Sequence, residues 1–129
     1  MRSTRVLLGT TLLGLAAAFM SGCTGGHALR PYTVAVGASP RRGRKLIESY
    51  GCGSCHTIPG IPSAHGLVGP PLMWMVRRTM IAGELPNSPE NLVRWIKDPK
   101  KVEPGTAMPD LGLSDQEARD VAAYLTNLR

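Results

Sequence analysis

The chain has 129 residues, enough for one domain and not for two. Its formal net charge is +6, but the basic residues are scattered apart from Arg41-Arg42-Gly43-Arg44-Lys45 and Lys97-Asp98-Pro99-Lys100-Lys101. No basic stripe with interleaved aromatics exists, which argues against a nucleic-acid partner.

The chain opens with Arg2 and Arg5, followed by a nearly apolar run from Val6 to Met20, small residues and Cys23. That order of basic, apolar and small residues is the pattern of an export signal. A retained membrane anchor is the competing reading, but about 15 apolar residues fall short of the roughly 20 that span a bilayer. Met20-Ser21-Gly22-Cys23 resembles the lipobox of bacterial lipoproteins, with Met20 in place of the usual Leu. That resemblance implies a signal over residues 1–22, a lipidated Cys23 and a chain tethered by acyl groups. Residues 1–22 carry two of the formal charges, Arg2 and Arg5, so their loss takes +6 to +4.

Residues 23–40 read as a linker, rich in small residues, Gly and Pro and without a sustained period. A helix is expected over residues 41–50, where Leu46, Ile47 and Tyr50 share a face and Gly51 offers an end. Residues 57–69 are a loop with Pro59, Gly60, Pro62, Gly66 and Gly69. Residues 71–81 read as a second, shorter helix with Pro71 near its start, and Met73, Met75 and Met80 as core filler on it. Ser88-Pro89-Glu90 marks a third helix start, with Leu92, Trp95 and Ile96 on one face and an end near Lys97, because Asp98 precedes Pro99. Ser114-Asp115-Gln116-Glu117 fits a capping box, and Ala118, Val121, Ala122, Leu125 and Leu128 then form one apolar stripe. No segment alternates as a strand does. The expected class is all-α, about four helices joined by long loops, and such loops usually mean function or a bound group.

Cys52-Gly53-Ser54-Cys55-His56 is the informative segment. C-x-x-C-H reads as a c-type haem attachment motif. Two thiols on a tight turn reach the two vinyl groups of one haem edge, and the adjacent imidazole reaches the iron. Two other chemistries compete. Zinc wants a fourth ligand, usually from a second paired cluster, and none is present, since the only other histidines are His27 and His65 and the only other cysteine is Cys23. A thioredoxin-like redox pair belongs in an α/β pattern, and no strands are expected here.

With this motif in place, residues 41–129 resemble the class I cytochromes c, most closely the single-domain forms and the domains linked to bacterial terminal oxidases. Gly69-Pro70-Pro71-Leu72 is similar to the family's Gly-Pro-x-Leu, which implies that the Pro70 carbonyl accepts a hydrogen bond from His56. An ordinary turn before a helix would look the same. Trp95 matches the tryptophan whose indole reaches a haem propionate, though core packing is compatible with it too. Pro104-Gly105-Thr106-Ala107-Met108-Pro109 resembles the loop that carries the sixth ligand, which implies iron held by His56 and Met108. His65 is the rival sixth ligand, but it lies only nine residues beyond His56.

The resemblance implies one covalently bound haem c and electron transfer rather than enzyme catalysis, with no small-molecule substrate. Its partners would be a redox donor and acceptor, such as a terminal oxidase or a quinol–cytochrome c reductase. The two basic runs serve either as solvated faces or as docking surfaces for acidic partners. Assembly outside the cytoplasm is implied, on the periplasmic side of the envelope and anchored as a lipoprotein. The alternative function is a five-coordinate haem sensor or peroxidase, in which Met108 leaves the iron open.

Overall fold

The computed structural model describes residues 37–128. The expected signal, Cys23, His27 and most of the linker lie outside the described residues. Four α-helices carry the fold: α1 (Pro40–Ser49), α2 (Pro89–Lys97), the single-turn α3 (Pro99–Val102) and α4 (Asp115–Thr126). Long connections join α1 to α2 and α3 to α4, only Asp98 separates α2 from α3, and the all-α class is observed. Among the described residues no helix is long and apolar enough to cross a membrane.

The helix starts follow from their caps. Ser39 caps α1, its hydroxyl accepting from the Arg42 N–H at 3.3 Å, so the helix begins at Pro40, one residue earlier than expected. Ser88 does the same for α2, with Pro89 at the first helical position. α4 has the full capping box: the Ser114 hydroxyl accepts from the Glu117 N–H, and the Glu117 carboxylate accepts from the Ser114 N–H at 2.9 Å. Asp98 ends α2 and opens α3, where Pro99 interrupts the helix.

Residues 71–81 do not form the expected helix. A 3-10 turn (Met75–Arg77) is followed by a small hairpin, β1 (Met80–Ile81) against β2 (Leu85–Pro86), with Ile81 opposite Leu85. The backbone groups of this stretch find tertiary partners instead of helical ones. The Leu72 N–H donates to the Thr57 carbonyl at 2.9 Å, and the Asn87 amide donates to the carbonyls of Met75 and Arg78 at 2.7 and 2.8 Å. Trp74 has φ 53°, a left-handed backbone that no helix interior accepts. Met75 is buried, as core filler should be, whereas Met80 is 42% exposed.

α1 and α4 form the central crossing, made possible by Gly43, which is buried at the contact. A Cβ there would strike the Asp120 carbonyl of α4, so only glycine lets the two backbones approach this closely. Ile47 of α1, Leu92 and Ile96 of α2, and Ala118, Val121, Ala122 and Leu125 of α4 make the core between them. Each large apolar side chain contributes roughly 1.5–3 kcal/mol by leaving water. The loop between α1 and the hairpin adds Ile58, Ile61 and Ala64 to the same core.

One charge lies at this crossing. Asp120 is 2% exposed and accepts from the Ser39 N–H (2.7 Å), from the Arg42 guanidinium at both oxygens (2.7 and 2.9 Å) and from the Gln116 amide (3.1 Å). Burial alone would raise the Asp120 carboxyl, but these partners outweigh it and hold it below the usual carboxylate range. A carboxyl depressed by folding stabilises the fold above its unfolded value, near 3.9, and that stabilisation disappears as pH falls through the lower folded value. Asp120→Asn should therefore lower stability at neutral pH by about 2 kcal/mol. Its difference from wild type should shrink below about pH 4, as urea denaturation at pH 7 and pH 3 will show.

Candidate haem site

Beside the packed crossing, the helices and loops wall a cavity of about 400 Å³, within the roughly 300–1,000 Å³ of small-molecule and cofactor sites. Its wall is mostly apolar, with Ile47, Ile58, Leu92, Ile96, Val121 and Leu125 among the residues that face it. Cys52, Cys55, His56, Pro70, Trp95 and Met108 all line it too, so the fold brings the six expected site residues in the described region to one cavity.

The first side of the site is built locally. Gly51 ends α1 in a left-handed conformation (φ 68°), and a 3-10 turn (Cys52–Ser54) follows at once. The N–H groups of Cys55 and His56 both donate to the Cys52 carbonyl, at 3.3 and 3.0 Å. This winding delivers Cys52, Cys55 and His56 to the cavity within five residues. Burial pushes the Cys52 thiol above its ordinary value, which keeps it protonated.

A second segment then fixes the imidazole. The Gly69 N–H donates to the Cys55 carbonyl at 2.8 Å, which draws residues 69–72 back against the motif. His56 Nδ1 lies 2.8 Å from the Pro70 carbonyl. A carbonyl only accepts, so Nδ1 carries the proton and Nε2 keeps the lone pair that binds a metal. Gly69 has no alternative here, because a Cβ at that position would run into the His56 ring.

Met108 comes from the other end of the chain. Its N–H donates to the Thr106 hydroxyl at 3.1 Å, and the Thr106 N–H donates to the Glu103 carbonyl at 3.0 Å. Pro109 holds the next bond, so this loop presents the thioether from a tightly turned backbone. Trp95, half-buried on α2, lines the same cavity. His65 does not. It is exposed, paired with Thr57 in an isolated bridge, and stands outside the cavity wall.

This donor set suits haem: two thiols, one oriented imidazole, one thioether and an apolar hollow. Zinc has no such fit, since among the described residues no group of three or more His, Cys, Asp or Glu could hold a metal ion. Two charged residues of the wall escaped the sequence reading: among the described residues Arg78 is the one cation there and Glu103 the one carboxylate. The signal for Glu103 was its place at the head of the methionine loop. Arg78 was hidden by the misread helix.

Comparison with known proteins agrees with this construction. A family model described as cytochrome c matches residues 40–129. The chain is similar to cytochrome c oxidase subunit 2 of Alkalihalophilus pseudofirmus, 37% identical over 91 residues, covering 68% of this chain and 25% of that protein. It is also similar to cytochrome c oxidase subunit 2 of Bacillus subtilis, 32% identical over 93 residues, covering 69% and 26%. The chain thus spans about a quarter of the length of the curated relatives it matches. No solved structure matches.

Gly69→Ala should displace the His56 ring from the Pro70 carbonyl and cost about 1–3 kcal/mol of stability, as overpacking does. Denaturant titration reads the loss, and the imidazole proton signals in NMR report the lost Nδ1 hydrogen bond.

Proposed function

Since the chain belongs to the cytochrome c family of haem electron carriers, we propose that it carries single electrons in a respiratory chain on one covalently bound haem, with His56 and Met108 as the axial ligands. The observation that carries this reading is the convergence of Cys52, Cys55, His56 and Met108 on one apolar cavity.

The residues would divide the work as follows. Cys52 and Cys55 would hold the haem covalently, each thiol adding across a vinyl group with sulfur to one carbon and hydrogen to the other, so that no oxidant is needed. His56, held by Pro70, would offer Nε2 to the iron. Met108 would offer its thioether. With both residues bound, electron transfer would be the chemistry left to the iron. A soft, neutral sulfur favours the reduced state, and the apolar wall favours it as well by penalising extra positive charge. Trp95 would direct its indole N–H to a propionate.

In this reading residues 1–22 are a lipoprotein signal, residues 23–40 a tether and residues 41–129 the cytochrome c domain. Lipidated Cys23 would hold the protein on the periplasmic side of the cell envelope. The likeness to oxidase subunits supports a terminal oxidase as electron acceptor or assembly partner, with a quinol–cytochrome c reductase as a fitting donor.

A redox titration of the holoprotein with full visible spectra, beside Met108→Ala, tests the ligand assignment. Wild type should be low-spin in both states with a positive, reversible potential, and the variant should lose the sulfur–iron band and drop in potential. A high-spin wild type would overturn the assignment. For the anchor, mass spectrometry of the detergent-extracted protein should find acyl groups on Cys23, and an unmodified Cys23 would sink that part.

A further inference from the structure

The wall of the cavity is apolar except at a few points, and among the described residues only one of its side chains carries negative charge. Glu103 lines the cavity, half-buried, at the junction between α3 and the loop that ends in Met108. Its Oε1 accepts from the Gly105 N–H at 2.8 Å, a solvent-exposed bond that ties the carboxylate to the loop. Among the described residues Glu103 belongs to no ion pair, and Arg78, the one cation of the wall, is not bonded to it.

A fixed, unneutralised carboxylate beside an apolar site has a definite electrostatic effect. Oxidation adds one positive charge at the iron, and a nearby negative charge stabilises that state. At low ionic strength ionic screening of such a pair is weak. We propose that Glu103 is a potential-setting residue: its carboxylate lowers the reduction potential that the Met108 thioether and the apolar wall would otherwise raise. This rests on the His56/Met108 reading above.

Glu103→Gln is the variant of choice. It removes the charge but keeps an oxygen that accepts from the Gly105 N–H, so the loop is retained. Asp110→Asn is the matched control. Asp110 lies in the same connection and likewise accepts from a glycine N–H two residues on, Gly112 at 2.9 Å, but it is exposed and outside the cavity wall. Glu103→Lys reverses the charge and serves as a second variant.

Redox titration of the holoproteins at low ionic strength reads the effect. Glu103→Gln should shift the one-electron equilibrium towards the reduced state roughly fivefold, about 40 mV upward at 59 mV per decade. The sulfur–iron band should be unchanged, Glu103→Lys should move further the same way, and Asp110→Asn should move much less. An unchanged potential in Glu103→Gln overturns the proposal, and so does an equal shift in Asp110→Asn. Loss of the sulfur–iron band in Glu103→Gln would overturn it too, because Glu103 would then act by holding the loop and not through its charge. A wild type without that band would instead fault the Met108 assignment, while the potentials would still report on the charge.

Discussion

An apolar hollow of about 400 Å³ is walled by side chains of α1, α2 and α4 and of the long loops, and most of the fold is arranged around it. Apolar walls gain by being covered, and a chain of this length has little other core to bury. Such a sequence is built to fold around an occupant, and the long loops are the walls that an occupant needs.

The site is held from two directions that depend on each other. The turn from Gly51 to His56 is local, so its geometry survives small changes elsewhere. The imidazole is set by a distant carbonyl, Pro70, and by the missing side chain at Gly69. The methionine loop hangs from α3 and is stiffened by its own turn bonds through Glu103 and Thr106. The crossing of α1 and α4 fixes how far apart these two sides stand, and Gly43 with the Asp120–Arg42 pair fixes the crossing.

Much of this was legible in the sequence, for physical reasons. Caps are local chemistry, so Ser88-Pro89 and the Ser114–Glu117 box could be read directly, as could the C-x-x-C-H turn. The apolar stripe of α4 was legible because helix periodicity survives into the fold. Residues 71–81 were misread because their backbone bonds go to Thr57 and Asn87, which lie outside any local window. Ile58, Ile61 and Ala64 belong to the core although they lie in a loop, and no periodicity announces loop residues. Asp120 sits among polar positions of α4 and gave no sign of burial, since its partners Ser39 and Arg42 are some 80 residues away. Arg78 became visible only once the cavity had a wall, whereas Glu103 could have been picked out by its place at the head of the methionine loop.

The functional account turns on whether the iron has a free position. A carrier needs none, and a thioether on the second axial side closes it, whereas a sensor or peroxidase needs the site open. The proposed carrier reading rests on closure by Met108, which lines the cavity on a turned, hydrogen-bonded backbone. Exposing the reduced holoprotein to carbon monoxide while recording its visible spectrum tests this most directly. The account predicts an unchanged low-spin spectrum, and prompt formation of a carbon monoxide adduct would contradict it.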